Sequence, residues 1–485
     1  MNIPMVTICS IDFFVCNAHM RMPFRFGSTT LTASAVLHVR MEIEVNNGRR
    51  VEGWSADMIA PKWFEKSDDK SYAQCLDELI AVAMNAASIY RELGSRPISV
   101  FDLWKQGYQA GKAWSKANEI NDLMGSNGPS LMERALIDAV GVYTCLTYHQ
   151  MLTGNVLGID LGAIHNELES VAIQDIIAES PLGDLQIRHT VGLVDPLRDE
   201  DIDEESRIND GLPQSLESYV REQGIRYFKV KIGGDPRADF ERLQDIYYLL
   251  DLFCQDYFVT IDGNEQYDDV DSLVRLLERI KEDLPKLFSR IIYIEQPLDR
   301  AVALNIEASI DIRRAASILP LLIDESDGNL DAFKTAIDLG YRGVSSKACK
   351  GLIKALGNVA LAKCKSESAI PLFVSAEDLT NIPVVSLHQD LVHVATLGLT
   401  HLERNGHHYI RGLDHLSEME REVCRRRHPE LYTENQDLLS LNIKDGAIAI
   451  SSLQLPGLGV DGAVDISAMT PLNEWDMRVL LDMGV

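Results

Sequence analysis

The chain has 485 residues, and its 73 acidic against 46 basic side chains give a formal net charge of −27. This excess of negative charge argues against DNA, RNA or an anionic membrane as a partner, because all three carry charge of the same sign. The hydrophobic content of 46% and charged content of 25% are ordinary for a globular protein with a sizeable core. The length allows two or three domains.

Targeting signals are not evident in the sequence. No apolar run approaches the roughly 20 residues of a membrane span. Residues 1–12 lack the basic stretch and apolar core of a secretory signal. The eight cysteines are dispersed without a Cys-x-x-Cys pair, which indicates free thiols in a reducing compartment. We therefore expect a cytoplasmic protein with no nucleic-acid or membrane partner.

The first part of the chain begins with strand-like patterns. Residues 35–45 alternate apolar and polar side chains, residues 46–48 predict a hairpin turn, and residues 50–54 predict the returning strand. The flanking segments 21–32 and 55–63 mix Pro or Gly with aromatic and charged residues, and we interpret them as loops. Such segments are either plain surface loops or lids that close over a ligand.

Helices follow this hairpin. Residues 72–92 and 130–151 have long apolar-periodic patterns with few breakers, and Ser130 with Glu133 fits a capping box. Strands followed by helices predict an α+β capping domain over residues 1–160.

From about residue 185, short apolar strands alternate with helical stretches, which is typical of βα units in a parallel sheet. An eighth strand is not evident in the histidine-rich segment 388–415. We predict an α/β fold with a (β/α)8-type barrel over residues 161–420, and a tail, 421–485, that packs back on the capping domain. The predicted strands are residues 186–193, 227–232, 258–261, 291–294, 321–323, 343–346 and 372–374, and the predicted helices include 239–252, 270–283 and 330–339.

A charged residue stands at the end of five consecutive predicted strands. The five are spaced by 31, 33, 29 and 23 residues, close to the roughly 30 residues per unit of a barrel. Because the carboxyl ends of barrel strands converge on one mouth, we expect these side chains to meet there. They are Lys231, Asp262, Glu295, Asp324 and Lys347.

The second strand of the predicted barrel carries two lysines on one face. Lys229 and Lys231 alternate with apolar residues in the sequence Tyr-Phe-Lys-Val-Lys-Ile, so both side chains point the same way. Two like charges side by side on a strand are unfavourable. We therefore expect negative charge opposite them.

Three carboxylates at one mouth repel each other unless they hold a cation. Oxygen ligands without Cys or His suit Mg²⁺, or alternatively Mn²⁺, so Asp262, Glu295 and Asp324 are the candidate metal ligands. A lysine crowded by a divalent ion and a second ammonium has a lowered pKa, so Lys231 and Lys347 are candidate acid/base groups. Two alternatives remain open: strand-end acids that cap the following helices, and lysines in a structural salt-bridge network.

Five short motifs follow one another along the chain: KVK at 229–231, DGN at 262–264, EQP at 295–297, DES at 324–326 and KACKG at 347–351. In this order they resemble the enolase superfamily and, within it, the mandelate racemase/muconate lactonizing enzyme family, in particular its muconate lactonizing enzyme-like subgroup. PGLGV at 456–460 also matches. The eighth strand and the Gly351-Leu352 pair, where the family often has Gly-Gly, depart from the pattern.

The resemblance implies a role for each matching residue. It implies that the three acids bind Mg²⁺, that Lys231 and Lys347 are the acid/base pair, and that Lys229 lies beside the substrate carboxylate. Segments 21–32 and 55–63 match the family's specificity loops. The predicted substrate-binding residues are Lys229, Asn264, Glu377, Asp378 and Arg25.

The predicted function is Mg²⁺-dependent abstraction of the proton α to a carboxylate through a metal-stabilised enediolate. Two lysines on opposite faces favour a racemase or epimerase that acts on a small carboxylic acid. The alternatives are a dehydratase or cycloisomerase on the same site, a non-catalytic acid-binding relative, and a lyase with a Schiff-base lysine. The family also implies a homo-oligomer.

Overall fold

A long antiparallel hairpin opens the chain. The computed structural model describes residues 3–26, 29–46, 48–460, 462, 464–476 and 478. Strands β1 (Val6–Phe26), β2 (Thr29–Val45) and β3 (Arg49–Met58) pair in that order. The predicted strands 35–45 and 50–54 are confirmed within β2 and β3; residue 47 of the predicted turn lies outside the described residues.

The structure corrects the prediction that residues 21–32 form a loop. Residues 21–26 continue β1 and residues 29–32 begin β2, with Phe24 paired to Leu31. This end of the hairpin reaches the barrel, where a bridge joins Met20 to Ile410. Contacts from a distant part of the chain thus support a strand that local composition does not favour.

The second predicted loop, residues 55–63, is also largely regular. Residues 55–58 complete β3, and Pro61 begins the short helix α1 (Pro61–Phe64). Ser55 is fully buried and donates to the Leu131 carbonyl at 2.7 Å, so this end of β3 is held by the helical layer of the cap. Buried backbone must be hydrogen-bonded, which favours a strand here over an open loop.

Four further helices complete the first half of the chain. They are α2 (Tyr72–Leu93), α3 (Val100–Ala117), α4 (Asp122–Thr144) and α5 (Tyr148–Thr153). The predicted helix 72–92 is confirmed as α2, whereas the predicted helix 130–151 starts earlier, with Asn121 as its cap, and is broken before α5. The capping box at Ser130 is wrong, because Ser130 lies inside α4.

Helix α4 connects the cap to the rest of the molecule. Nearly all of its side chains are buried, and this burial offsets Gly128 and Pro129, which would weaken an isolated helix. Ser130 donates to the Ala348 carbonyl at 2.6 Å, and Glu133 accepts from Ile353 N at 2.6 Å. One helix therefore fixes the cap against the segment that follows Lys347.

Eight parallel strands form a closed barrel, because the eighth pairs with the first. This confirms the predicted fold class and supplies the eighth strand that the sequence did not show. The strands are β4 (Asp184–Val191), β5 (Tyr227–Lys231), β6 (Phe258–Asp262), β7 (Ile291–Glu295), β8 (Leu321–Ile323), β9 (Gly343–Ser346), β10 (Phe373–Ala376) and β11 (His401–Arg404).

Helices alternate with these strands. The predicted helix 270–283 is confirmed with the same bounds. The helix predicted at 330–339 is observed at residues 332–339, and Gly340, which follows it, has the left-handed conformation. The helices are α6 (Leu216–Gln223), α7 (Pro236–Phe253), α8 (Val270–Asp283), α9 (Pro285–Phe288), α10 (Arg300–Ala303), α11 (Ser309–Ala316), α12 (Ala332–Leu339), α13 (Leu352–Lys365) and α14 (Val385–Leu397).

The remaining chain returns to both parts of the molecule. Its elements are α15 (Gly406–Tyr409), α16 (Glu418–Arg427), a hairpin of β12 (Tyr432–Asn435) and β13 (Leu438–Leu441), β14 (Ala447–Ala449) and β15 (Thr470–Pro471). Strand β14 pairs with β4 of the barrel, and β15 pairs with β1 of the cap. Leu458 N donates to Asp138 of α4 at 2.8 Å. The domain boundaries drawn from the sequence stay a prediction.

Two further expectations concern the chain as a whole. All eight cysteines are free thiols, as the sequence predicts. Within the ranges that the structure describes, no helix has the length and apolar character that a membrane span requires.

Candidate active site

The five motif residues converge at the carboxyl end of the barrel. Lys231 ends β5, Asp262 ends β6 and Glu295 ends β7, while Asp324 and Lys347 directly follow β8 and β9. In the closed ring, β5 and β9 are four strands apart in either direction. The two lysines therefore approach the mouth from opposite sides.

A cavity lies between the barrel mouth and the cap. Its two walls differ in chemistry. The ceiling, from the cap, is entirely apolar: Phe24, Leu31, Met58, Ala60 and Trp63. The floor, from the barrel, is mostly polar or charged: Lys231, Asn264, Lys347, Asp378, Leu379, Thr380, Glu403 and Asn405.

Another cavity is lined by Leu387, Leu413, Leu441 and neighbouring residues. None of the motif lysines or acids lines it. The cavity under the cap is therefore the candidate active site, because it is where the apolar wall and the reactive side chains meet.

The proposed acid/base lysines both line the cavity and are almost fully buried. Lys231 Nζ donates to Asp262 Oδ2 at 2.6 Å, and Lys347 Nζ donates to Asp324 Oδ2 at 2.7 Å. The Lys347 ammonium also lies 4.6 Å from the centre of the Trp63 ring, a cation–π contact with the ceiling. Each lysine is thus held at the edge of the cavity by one strand-end acid.

Lys229 lies deeper, inside the barrel, and its side chain is fully buried. Its Nζ lies 3.0 Å from Asp262 Oδ2, 2.8 Å from Glu295 Oε1, 2.5 Å from Glu377 Oε2 and 2.8 Å from Glu403 Oε2. We call these five residues the Lys229 cluster. The negative charge expected opposite the two lysines of β5 is therefore present.

The pKa values in the mouth follow from these pairings. Burial alone would raise the pKa of Asp324, but Lys347 and Lys350 hold it well below its usual value. Burial alone would lower the pKa of Lys347, yet Asp324 raises it well above the ordinary range. The expectation that the pKa of this lysine is lowered concerns a site that holds a divalent ion, and it stays a prediction.

Glu295 behaves differently from the other acids of the mouth. Burial raises its pKa, and repulsion from Asp262 and Glu377 raises it further, to well above the usual value, despite the contact with Lys229. Its Oε2 has no hydrogen-bond partner among the described residues. This carboxyl group is therefore the one that would gain most from an added positive charge.

The predicted substrate-binding residues fall into three places. Asn264 and Asp378 line the cavity, and the Oδ1 atom of Asn264 has no hydrogen-bond partner in the described part of the chain. Lys229 and Glu377 lie below the floor in the Lys229 cluster. Arg25 is exposed on β1 and is not among the lining residues. Their contacts with a substrate stay predictions.

A charged latch fixes the ceiling to the barrel. Glu265 accepts from Arg300 Nε at 2.7 Å and lies 2.5 Å from Lys66 Nζ. Arg300 also donates to the Phe64 carbonyl at 2.8 Å, and Lys66 donates to the Asn264 carbonyl at 3.0 Å. The segment that carries Trp63 is thereby held over the mouth.

Several residues of the site were not predicted from the sequence. Glu403 is the penultimate residue of the eighth strand and belongs to both the floor and the Lys229 cluster. Arg188 of β4 pairs with Glu377, and Lys350 donates to Asp324 Oδ1 at 2.8 Å. A signal existed for Glu403, because Glu377 follows Lys347 by 30 residues and Glu403 follows Glu377 by 26, which continues the strand spacing.

The donor chemistry of the mouth fits a hard divalent cation, although the present side-chain arrangement is not a coordination sphere. Asp262, Glu295 and Asp324 offer only oxygen, and the free Glu295 Oε2 is available. Lysine ammonium groups donate to Glu295 Oε1, Asp262 Oδ2 and Asp324 Oδ2. Within the described ranges, no three acidic, His or Cys side chains are grouped so as to hold a metal ion. The assignment of these acids as metal ligands stays a prediction.

Comparisons with known proteins agree with the fold and the motifs. Residues 211–367 match a family described as enolase C-terminal domain-like. No curated protein matches the chain significantly in sequence. Solved structures match over nearly the whole chain at low identity, which shows a common fold.

One such structure is a muconate lactonizing enzyme from Pseudomonas fluorescens complexed with muconolactone, with 16% identity, 95% of this chain and 98% of the other covered, and a TM-score of 0.60. A second is an enolase from Bradyrhizobium complexed with magnesium and mandelic acid, with 16% identity, 95% and 98% coverage and a TM-score of 0.57. A third is a mandelate racemase/muconate lactonizing protein from Herpetosiphon aurantiacus, with 14% identity, 93% and 98% coverage and a TM-score of 0.57.

The subgroup within the family stays a prediction. The resemblance to the enolase superfamily that the five motifs indicate is borne out over residues 211–367, which match the enolase C-terminal domain-like family. The solved structures share the fold.

Proposed function

We propose that the chain is an Mg²⁺-dependent enzyme that removes the proton α to a carboxylate and returns a proton to the opposite face, as a racemase or epimerase. The observation that carries this proposal is the placement of Lys231 and Lys347 on opposite sides of one cavity. A tetrahedral Cα between two lysines can lose its proton to one of them, become planar, and gain a proton from the other on the opposite face. Relatives that bind muconolactone or mandelic acid support a small acid as the substrate.

The lysines divide the proton transfer between them. A substrate carboxylate on the floor would place Cα between the two ammonium positions, with one lysine neutral as base and the other protonated as acid. Asp262 and Asp324 orient the two Nζ atoms through contacts of 2.6 and 2.7 Å.

Asp262, Glu295 and Asp324 are the residues that would hold Mg²⁺. When bound, the ion would supply positive charge near the substrate carboxylate and so reduce the cost of removing the α proton. It would also compete with the lysines for the acid oxygens, which would weaken the hold of Asp324 on the Lys347 proton.

The ceiling supports a substrate with an uncharged, apolar group beyond its carboxylate. All five ceiling side chains are apolar, so a second charge at that end would be buried without a partner. The unpartnered amide oxygens of Asn264 and Asn405, both on the floor, suit a hydroxyl or N–H donor near the reacting carbon.

Solvent exchange tests the proposal directly. We expect wild-type protein with Mg²⁺ to exchange the α proton of an accepted acid in D₂O, measured by ¹H NMR across a library of chiral acids that carry alkyl or aryl groups. Because each lysine serves one face, Lys231→Met should abolish exchange of one enantiomer and Lys347→Met that of the other. Lys363→Met, on the outer helix α13, is the matched control.

Four outcomes would redirect the assignment. Exchange that survives both lysine substitutions would show that other groups are the bases. Loss of a β substituent, or ring closure without return of the proton to Cα, would favour the dehydratase or cycloisomerase alternative. Tight binding of an acid without exchange would favour a non-catalytic relative, and trapping of substrate by borohydride would favour a Schiff-base lyase.

A further inference from the structure

The Lys229 ammonium occupies a position typical of a bound cation. It lies within 3.0 Å of oxygens from four different carboxylates, contributed by β6, β7 and the ends of β10 and β11. An ammonium has only three protons to donate, so this group serves its neighbours mainly as a centre of positive charge. Four acids around one buried point would otherwise repel each other.

The buried charges at the carboxyl ends of the barrel strands are balanced when every acid is counted as ionised, and the pair Asp327–Lys354, which joins this network through Lys350, adds one charge of each sign. Five carboxylates contact five cationic side chains through ion pairs that are almost completely shielded from water. The acids are Asp262, Glu295, Asp324, Glu377 and Glu403, and the cations are Arg188, Lys229, Lys231, Lys347 and Lys350.

A divalent ion that enters this network unchanged adds two uncompensated charges to a buried volume, which is unfavourable. Of the five cations, Lys229 contacts two of the three candidate metal ligands, through Asp262 Oδ2 and Glu295 Oε1. The other cations contact at most one candidate ligand each. Lys229 is therefore the cation whose position overlaps most with that of an ion held by these acids.

We propose that Lys229 is a built-in counter-cation that competes with the divalent ion for Asp262 and Glu295 and so sets a low metal affinity for this site. This inference rests on the proposed function, because it takes those acids to be metal ligands. It assigns Lys229 a positioning role in place of direct contact with the substrate carboxylate. Its absence from the cavity lining agrees with that role, since only Lys231 and Lys347 reach the cavity from the lysines of the mouth.

Replacement of the ammonium by an uncharged side chain of similar length tests the competition. Manganese suits the same oxygen ligands, and free Mn²⁺ is measured by electron paramagnetic resonance. We expect Lys229→Met to bind Mn²⁺ at least about tenfold more tightly than wild type, because a buried charge that opposes the ion has been removed. Circular dichroism with and without Mn²⁺ confirms that each variant is folded.

Lys354→Met is the matched control. Lys354 is equally buried and pairs with Asp327 at 2.7 Å, so its loss changes the net charge by the same amount without freeing an oxygen of Asp262 or Glu295. We expect this variant to bind Mn²⁺ as wild type does. A comparable gain in both lysine variants would overturn the inference, because a general charge effect would then explain it.

Two further variants separate the inference from the proposed function. Asp262→Asn in the Lys229→Met background should remove the gained affinity, which locates the ion at these acids. If wild type binds Mn²⁺ through Asp262 and Lys229→Met binds no more tightly, the competition is refuted and the metal assignment stands. If folded wild type and Lys229→Met both fail to bind Mn²⁺, the metal assignment of the proposed function fails as well.

A double variant covers the case in which Lys229→Met does not fold. Lys229→Met/Glu403→Gln removes one positive and one negative charge, so the network stays balanced while Asp262 and Glu295 lose their ammonium partner. We expect tighter Mn²⁺ binding than in wild type. Unchanged or weaker binding would contradict the proposal.

Discussion

The two walls of the cavity are built on opposite principles. The ceiling consists of apolar side chains from a long hairpin and the short helix α1, whereas the floor consists of charged and polar side chains at the ends of barrel strands. Burial stabilises the ceiling through the hydrophobic effect. The same burial is costly for the floor, whose stability depends on each charge having a partner.

This difference predicts how each wall responds to substitution. A change in the ceiling should alter the fit of a substrate and the local packing. A change in the floor should leave a buried charge without its partner and affect the whole barrel. The following predictions test that contrast.

The largest effect should come from the charged interior. Arg188 is fully buried and contacts Glu377, and its Nη2 donates to the Ala376 carbonyl at 2.8 Å and to Ser375 Oγ at 3.0 Å. We expect Arg188→Met to lower the free energy of unfolding by about 3–5 kcal/mol, because one partner of a buried ion pair is lost. Urea denaturation measures the change.

The matched control for this prediction is Arg237→Met, at an exposed pair with Glu241, which should cost less than about 1 kcal/mol. The double variant Arg188→Met/Glu377→Gln should recover part of the loss, because it removes the stranded carboxylate. A loss below about 1 kcal/mol in the single variant would show that the floor does not depend on charge pairing.

A second prediction concerns an acid that supports the ceiling without a cation. Asp138 of α4 accepts from Trp54 N at 2.9 Å and from Leu458 N at 2.8 Å, and burial raises its pKa to about 7. The folded chain therefore keeps this proton to a higher pH than the unfolded chain, whose value is near 3.8. The stabilisation is complete below the unfolded pKa and is lost as pH rises through the folded pKa.

We expect this carboxyl group to contribute a fall in the free energy of unfolding on the order of 1–2 kcal/mol between pH 5 and pH 8. Because other buried acids also titrate, the measurement is the difference between wild type and Asp138→Asn, which cannot ionise. The variant should show a flatter pH dependence in urea denaturation. An identical slope in both proteins would contradict the raised pKa.

The third prediction addresses the shape of the ceiling. Met58 is buried at the end of β3 and lines the cavity. We expect Met58→Ala to lower kcat/KM about tenfold for an acid with a bulky apolar group, because contacts with that group are lost. The value for a compact acid should change little, and Met58→Leu, which conserves volume, should retain activity on both. Equal losses on both acids would indicate general damage instead.

The smallest effect should come from the latch between the walls. Glu265→Gln keeps the shape of the side chain but removes the charge that Lys66 and Arg300 share. We expect a loss of about 1 kcal/mol and faster proteolytic cleavage within residues 60–70, since the segment opens more often. Glu65→Gln, whose side chain contacts Lys70 and Asn121 of the cap, should not increase cleavage. Equal cleavage of both variants would contradict the latch.

The sequence predicted the floor better than the ceiling for a physical reason. Each floor residue that was predicted follows a short apolar strand at an interval near 30 residues, and the closed barrel turns this one-dimensional spacing into proximity. Glu403 was missed because β11 lies in a histidine-rich segment. Its interval from Glu377 would have revealed it.

The conformation of the ceiling could not be predicted in the same way, although its five side chains all lie in segments 21–32 and 55–63, which the sequence offered as surface loops or lids. Residues 21–26 form a strand partly because Met20 meets Ile410, a contact between residues 390 positions apart. Helix α4 likewise passes through Gly128 and Pro129 because it is buried on nearly all sides. Both elements depend on contacts that local composition does not encode.

The pairing of β11 with β4 has a consequence for how the molecule assembles. Gln186 of β4 pairs with His401 of β11, 215 residues away, and also with Ala447 of β14. Such a seam requires the closure of a very long loop and is reached slowly during folding. During synthesis, β4 has no partner on this side until β11 has been made. Its open edge is therefore where an incomplete chain would form wrong strand pairs, and where a chaperone would be most useful.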